Sequence, residues 1–258
     1  MLMVGCGNMG GAMLRRWLAA GLDPARITVV SPSGRAMPDG VAVVRVVPEP
    51  GFDTIILAIK PQKLGELRET SLRTHAPRLL VSILAGVDEA AIAATCRAGT
   101  VVRAMPNLPV AIGRGVTALF GSTTDGRARR VAEALCAPLG HHEWIAEERL
   151  FDAVTALAGS GPAFLFRFVD ALAKAGTALG LPLDQARRLA MATVEGSAMM
   201  AAAADEGPAM LADRVASPGG STREGLNVLD AGDALVRLLT DTLAASERRN
   251  GELAGFAR

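Results

Sequence analysis

The sequence contains no tyrosine, two tryptophans and seven phenylalanines, so rings make up 3% of a chain that is 50% hydrophobic. A core of that make-up must be filled by Ala, Val, Leu and Met, which favours closely packed helices and buried strands. Lysine is scarce too: Lys60, Lys63 and Lys174 are the only three, so lysine-dependent chemistry has three candidates. Cys6, Cys96 and Cys136 are odd in number and lack CxxC or Cys/His spacing, which argues against a disulfide framework and a structural zinc site. No metal is expected, and the cysteines fit a reducing compartment. His75, His141 and His142 fall outside every glycine-rich loop, which predicts surface or strand-edge positions and no histidine general acid. A formal charge of +1 steers the chain to neither nucleic acid nor a membrane surface. No secretory signal is visible at MLMVGCG, and no apolar run approaches the ~20 residues of a membrane helix. The expectation is a soluble cytoplasmic protein with a small-molecule substrate.

What is present is a change of rhythm near the middle. Short β-branched runs at residues 1–4, 27–30, 41–46, 54–59, 79–84, 100–104, 116–120 and 142–145 read as strands, with a helix over 10–20 closed by Gly21. Runs without polar alternation suit strands buried on both faces, as in a parallel sheet covered by helices. After about Glu148 the strand-like runs stop. Helical patterns follow at 162–179, 184–204, 222–229 and 233–251, with Asp184 as a candidate N-cap. This predicts an α/β fold: a doubly wound sheet over residues 1–149, then an all-helical domain over 150–258. The helical half is apolar, with MMAAAA at 199–204, and is expected to bury its excess against a partner chain.

The first strand leads into Gly5-Cys6-Gly7-Asn8-Met9-Gly10, a G-x-G-x-x-G spacing that opens a helix. Gly5 permits the tight turn, Gly7 lets a pyrophosphate approach the backbone, and Gly10 lets helix and strand pack closely. The helix N-terminus adds unpaired N–H donors. The motif alone is weak; its place inside a βαβ unit makes it a dinucleotide-site candidate. An acidic residue normally closes the second strand when NAD is bound. Here Ser31-Pro32-Ser33-Gly34-Arg35 stands instead, which suits a 2′-phosphate and predicts NADPH, with NADH as the lesser cofactor. The alternative for Arg35 is a solvated loop. Two later loops, Leu57–Gln62 and Ser82–Val87, follow strands and should border the same crevice.

In the second half, Ala216-Ser217-Pro218-Gly219-Gly220-Ser221-Thr222 precedes a helix. Two glycines and two hydroxyls there form a candidate anion site with backbone donors for a carboxylate, or alternatively an ordinary Ser/Thr N-cap. Hydride delivery to a carbonyl normally requires a positioned proton donor. Delivery to a protonated imine requires less. A carboxylate clamp with a hydroxyl and no evident acid is better matched to C=N than to C=O.

Taken in order, GCGNMGG, LAIKPQ, SILAGV, RAMPNLP, DAVTALAGSGPAF and ASPGGSTREGL resemble the pyrroline-5-carboxylate reductase family over essentially the whole chain. The resemblance implies a Rossmann-type domain followed by a helical dimerisation domain, and NAD(P)H-dependent reduction of 1-pyrroline-5-carboxylate to L-proline. It implies an intertwined dimer, often in larger rings. It also assigns Thr222 to the substrate ring nitrogen, Gly219, Gly220 and Ser221 to the substrate carboxylate, and Glu148 to the substrate side. Ile59, Lys60, Ala85 and Asn107 then join Gly5, Gly7, Asn8, Met9, Gly10, Ser31, Ser33 and Arg35 around the cofactor.

The pattern departs from the family at Ala158, Phe164, Gly207 and Ala212, where Ser, Tyr, His and Lys are usual; none of these touches Thr222 or the Gly-Gly pair. A β-hydroxyacid dehydrogenase, the nearest rival, should carry Asn four residues after its helix Lys, yet Ala178 follows Lys174 at that distance. Reduction of another cyclic imino acid and a non-catalytic NADPH-binding regulator stay open as alternatives.

Overall fold

The computed structural model describes residues 1–67, 69–123 and 125–255. The chain divides into two compact units: residues 1–162 with 245–258, and residues 163–244.

The first unit is built on one eight-stranded sheet: β1 Leu2–Val4, β2 Thr28–Val30, β3 Ala42–Val44, β4 Thr54–Leu57, β5 Leu79–Ser82, β6 Val101–Pro106, β7 Gly115–Phe120 and β8 Gly140–Trp144. Their spatial order is β3-β2-β1-β4-β5-β6-β7-β8, so the chain reverses direction across the sheet beside β1. Strands β1–β6 run parallel, as expected from their unbroken apolar runs. The β6–β7 pair is antiparallel. Its connection is only the short turn at Leu108–Ile112, too brief for a crossover. The helix α4 (Gly126–Cys136) then returns the chain, and β8 lies parallel to β7.

Alternate side chains of β1, β2, β4, β5 and β6 feed two cores. Met3, Val29, Ile56 and Val102 point to the face covered by helix α1 (Asn8–Ala19), whose Met13, Leu14 and Trp17 are buried there. Leu2, Val4, Ile55, Leu57 and Leu80 point to the other face, against Leu64, Leu67 and Leu72. That second layer is thin: the helices α2 (Leu64–Leu67) and α3 (Glu89–Ala93) are one turn each, and residues 31–41 between β2 and β3 carry no helix. Trp17 Nε1 donates to the Leu135 carbonyl at 2.7 Å, tying α1 to α4.

From Glu148 the chain is helical through α5 (Phe151–Val154), a π-turn at Thr155–Gly159 and α6 (Gly161–Ala178). In the second unit α6 packs on α7 (Leu183–Ala203) through Val169, Ala173, Ala186 and Ala190, small residues that let the two backbones approach. Helices α8 (Pro208–Val215), α9 (Ser221–Asp230) and α10 (Ala234–Gly255) follow.

Three sequence expectations need correction. His75 is 1% exposed rather than superficial, and its Nε2 lies 3.0 Å from the Pro48 carbonyl. Asp184 is not an N-cap; Pro182 is, and Asp184 falls in the first turn, where its charge still complements the helix dipole. Against the expectation that no apolar run approaches a membrane helix, the 31-residue helical stretch 148–178 contains an 18-residue window of mean hydropathy 1.2, of which only 17% is buried. By length and composition it matches a membrane span.

Candidate active site

A cleft of about 690 Å³ lies at the carboxyl ends of β1, β2, β4 and β5, where the direction of the sheet reverses. Gly5 turns the chain out of β1 at φ +85°, and its N–H donates to the Val30 carbonyl at 3.0 Å. A Cβ there would sit 2.6 Å from Ile59 Cγ2 and 2.8 Å from the Ala58 carbonyl, so only glycine fits. Gly10 is less confined: a Cβ there would stand 2.7 Å from Met3 Cε, the movable end of a side chain, and 3.1 Å from Ala58 Cβ, whereas a Cβ on Gly7 would meet nothing within 4 Å. Gly7 is the N-cap of α1, no side chain caps that helix, and its first turn carries no acidic residue. The first N–H groups therefore face the cleft without a side-chain acceptor, which suits a pyrophosphate.

Every glycine of the loop, together with Asn8, Met9, Ser31, Ser33, Arg35, Ile59, Lys60 and Ala85, lines this cleft. Ser31 is buried; its Oγ accepts from the Arg35 N–H at 3.3 Å and lies 3.4 Å from Ser33 Oγ. The lining contains Arg35, Lys60 and Lys63 and no carboxylate. Lys63 was missed by the sequence argument although it stands three residues beyond Lys60, on the turn Pro61–Lys63. Cys6 also borders the cleft, where burial pushes its thiol pKa up and the Arg35 and Arg15 charges oppose that rise.

Asn107 is not among the lining residues. Its Nδ2 donates to the Ala158 carbonyl at 2.9 Å and its Oδ1 accepts from the Val116 N–H at 2.8 Å, making it a buried brace. Glu148 lies in a separate hollow with Arg103, Asp88, Phe151 and Asp152. Its Oε1 accepts from Arg103 Nη1 and from the Glu89 N–H, both at 2.7 Å. Arg103 itself is buried, stacks 4.3 Å from the Phe151 ring centroid, and leaves Nε without a partner among the described residues.

In the second unit, Gly220 is the N-cap of α9 and no side chain caps that helix either, so Ser221 and Thr222 do not act as an N-cap. Gly219 turns at φ +71°, the Gly220 N–H donates to the Ser217 carbonyl at 3.0 Å, and Arg223 Nη2 donates to Asp213 Oδ1 at 2.8 Å. Ser221 and Thr222 are exposed, with no hydrogen bond to their hydroxyls among the described residues.

Residues 148–253 match the family model for pyrroline-5-carboxylate reductase dimerisation, and residues 2–86 match that of the coenzyme F420-dependent NADP oxidoreductases. The chain is 33% identical to the pyrroline-5-carboxylate reductase of Pseudomonas aeruginosa, over 97% of its own length and 95% of that relative's. The chain belongs to the pyrroline-5-carboxylate reductase family. The solved pyrroline-5-carboxylate reductase of Coxiella burnetii superposes with a TM-score of 0.81 at 30% identity, covering 98% of this chain and 97% of that one. The Plasmodium falciparum pyrroline carboxylate reductase with NADP bound shares the fold, with a TM-score of 0.81 at 22% identity and the same coverage. Membership of the pyrroline-5-carboxylate reductase family agrees with the resemblance carried by the motifs. It agrees too with the doubly wound and helical fold class, and with an NADP-type oxidoreductase. The dimerisation match supports self-association.

Proposed function

We propose that this chain reduces 1-pyrroline-5-carboxylate to L-proline with NADPH, NADH serving as the weaker donor. One observation carries the cofactor reading: a single cleft joins the uncapped helix at Gly7 to Ser31, Ser33 and Arg35, with basic residues and no carboxylate in its lining. When bound, NADPH supplies the hydride from C4 of its nicotinamide. Gly5, Gly7, Asn8, Met9 and Gly10 hold the pyrophosphate, Ser31, Ser33 and Arg35 the 2′-phosphate, and Ile59, Lys60 and Ala85 the remaining cofactor length. Asn107, which the resemblance places on the cofactor side, lies outside the cleft lining and braces the end of β6 through its two side-chain hydrogen bonds.

On the substrate side, the Gly219-Gly220-Ser221 loop holds the carboxylate, Gly219 and Ser221 through their N–H groups and Gly220, whose N–H is engaged by the Ser217 carbonyl, by letting the carboxylate approach the backbone; the Thr222 hydroxyl orients the ring nitrogen. Glu148 keeps a substrate-side assignment from the resemblance, through the carboxylate oxygen that does not bond Arg103 and Glu89. The imine nitrogen already carries a proton and a positive charge. As the imine carbon gains its C–H bond, the C=N π electrons become the nitrogen lone pair. These residues are therefore required to orient and anchor rather than to donate a proton.

The same reading takes residues 1–149 as the cofactor domain and 150–258 as the substrate and dimerisation domain. The protein works in the cytoplasm as a homodimer or an assembly of dimers, which supplies cover for Phe166 and Met199, 56% and 67% exposed in one chain. The test is loss of nicotinamide absorbance with the five-membered and six-membered cyclic imino acids, each with NADPH and NADH. Fast turnover of the five-membered ring with NADPH is expected. NADPH binding without turnover of either ring would support the regulator instead.

A further inference from the structure

The strand β3 (Ala42–Val44) is wholly apolar, and the charge comes just past its end. Residues 41–47 read Val-Ala-Val-Val-Arg-Val-Val, and the single charge, Arg45, interrupts a run that otherwise suits a sheet edge. The β2–β3 register pairs Val30 with Val44, and the Ser31 N–H donates to the Val44 carbonyl at 2.8 Å. Arg45 is thereby fixed across from Ser31, beside the turn through Ser33 and Arg35.

Its guanidinium lies against Gly34. A Cβ built on that glycine would stand 3.2 Å from Arg45 Nη2 and 3.4 Å from Nε, while the backbone there turns at φ +66°. No helix between β2 and β3 packs over the charge. Arg45 is exposed and makes no ion pair among the described residues. It lines a hollow of about 410 Å³ that shares Gly5, Val30, Pro32, Ile59 and Lys63 with the cofactor cleft. The one carboxylate in that lining, Glu66, stands 3.9 Å from Lys63 Nζ.

We propose that Arg45 is a second guanidinium for the 2′-phosphate, acting with Arg35 to set the preference for NADPH over NADH; this rests on the NADPH reading above. A phosphate monoester offers several acceptor oxygens and close to two negative charges, more than Arg35 and two serine hydroxyls neutralise. An arginine fork without a carboxylate partner matches that geometry, and its planar donors favour a phosphate over a neutral ribose hydroxyl. The chemistry read is the terminal monoester itself, not the adenine or the pyrophosphate, so NADH should be nearly indifferent to Arg45.

The experiment measures equilibrium binding to the full-length protein, by cofactor fluorescence for NADPH and NADH and by calorimetry for 2′,5′-ADP and ADP. Arg45→Ala, Arg45→Lys, Arg35→Ala and the double alanine variant are compared with the unaltered chain, thermal unfolding confirming that each folds. Arg45→Ala should weaken NADPH and 2′,5′-ADP about tenfold or more, and NADH and ADP by less than about twofold. Arg45→Lys should recover part of the loss, and the double variant should exceed either single one. Equal weakening of NADPH and NADH by Arg45→Ala would place the side chain on the adenine instead and overturn the proposal, as would no change in either. If the unaltered chain binds NADH as tightly as NADPH, the NADPH reading itself fails, whatever Arg45 does.

Discussion

Arg103 and Glu148 meet at 2.7 Å, Nη1 to Oε1, with the arginine side chain 7% exposed and the glutamate 33%. The pair joins β6 to the start of the long helical stretch, 45 residues along the chain. Because the Glu89 N–H donates to the same oxygen, Glu148 is held by one side of its carboxylate and presents the other to the hollow at Asp88 and Phe151. A residue assigned to the substrate is thus also a structural anchor.

Glu148→Gln keeps the size and removes the charge, leaving a buried guanidinium uncompensated. It should destabilise the protein by about 2–4 kcal/mol in urea unfolding. Its substrate KM should rise while NADPH affinity holds. A stability loss with unchanged KM would leave Glu148 as an anchor only.

The glycines of the cofactor loop should separate folding from binding. Gly5→Ala forces a side chain onto Ile59 and Ala58 in a left-handed conformation, and should cost about 1–3 kcal/mol. Gly7→Ala meets open space and should change stability by less than about 0.5 kcal/mol. Yet Gly7→Ala should weaken NADPH strongly, because the methyl occupies the approach of the pyrophosphate. Thermal unfolding beside fluorescence titration distinguishes the two effects.

Burial pushes the Cys136 thiol up to about 12, with the Glu133 charge adding to the rise. A thiol whose folded pKa exceeds its unfolded value stabilises the fold fully below the unfolded pKa, and that contribution is lost as pH climbs towards the folded value. Between pH 9 and 12 this group alone should remove up to about 1.4 kcal/mol of stability per pH unit. Cys136→Ala should flatten the decline over that window. An unchanged slope would show that other groups govern alkaline unfolding.

Self-association should depend on the exposed face of α6. Phe166→Asp places a charge on an apolar surface and should weaken the dimer at least about tenfold. Light scattering across a dilution series checks this, and an undisturbed dimer would exclude Phe166 from the interface.

Much of the first unit was legible because burial on both faces leaves unbroken apolar runs, as at Ile55–Leu57 and Leu79–Val81. The direction of β7 was not, since strand direction depends on connection length rather than on the residues of the strand. Helix α4 has a weak apolar signature because its buried stripe is small: Ala128, Ala132 and Cys136 repeat every four residues among arginines. Helix α8 is hard to see in the sequence because Gly207-Pro208 suits a turn as well as a helix start, where proline fits the first helical turn. The glycine loop and Ser31–Arg35 were readable because each conveys a local backbone or charge requirement. Arg45 and the Arg103–Glu148 pair depend on strand register and on tertiary packing. The lone charge of Arg45 in its apolar run is visible locally, but its place beside Gly34 and the partnership of Arg103 with Glu148 are not.

Thr222 bears on the proposed chemistry most closely, since its hydroxyl has no capping duty. Thr222→Ala should lower kcat by about tenfold or more while the NADPH Kd stays within about twofold. A lost affinity for NADPH would mean that the 217–222 loop serves the cofactor instead.

The most direct test of the central claim is isotopic. NADPH deuterated at the transferable C4 position is incubated with 1-pyrroline-5-carboxylate, and the product is analysed by mass spectrometry and NMR. L-Proline carrying one deuterium, on the ring carbon that was the imine carbon, is the predicted result. Proline without deuterium, or oxidised cofactor without proline, would contradict hydride transfer to the C=N bond of this substrate.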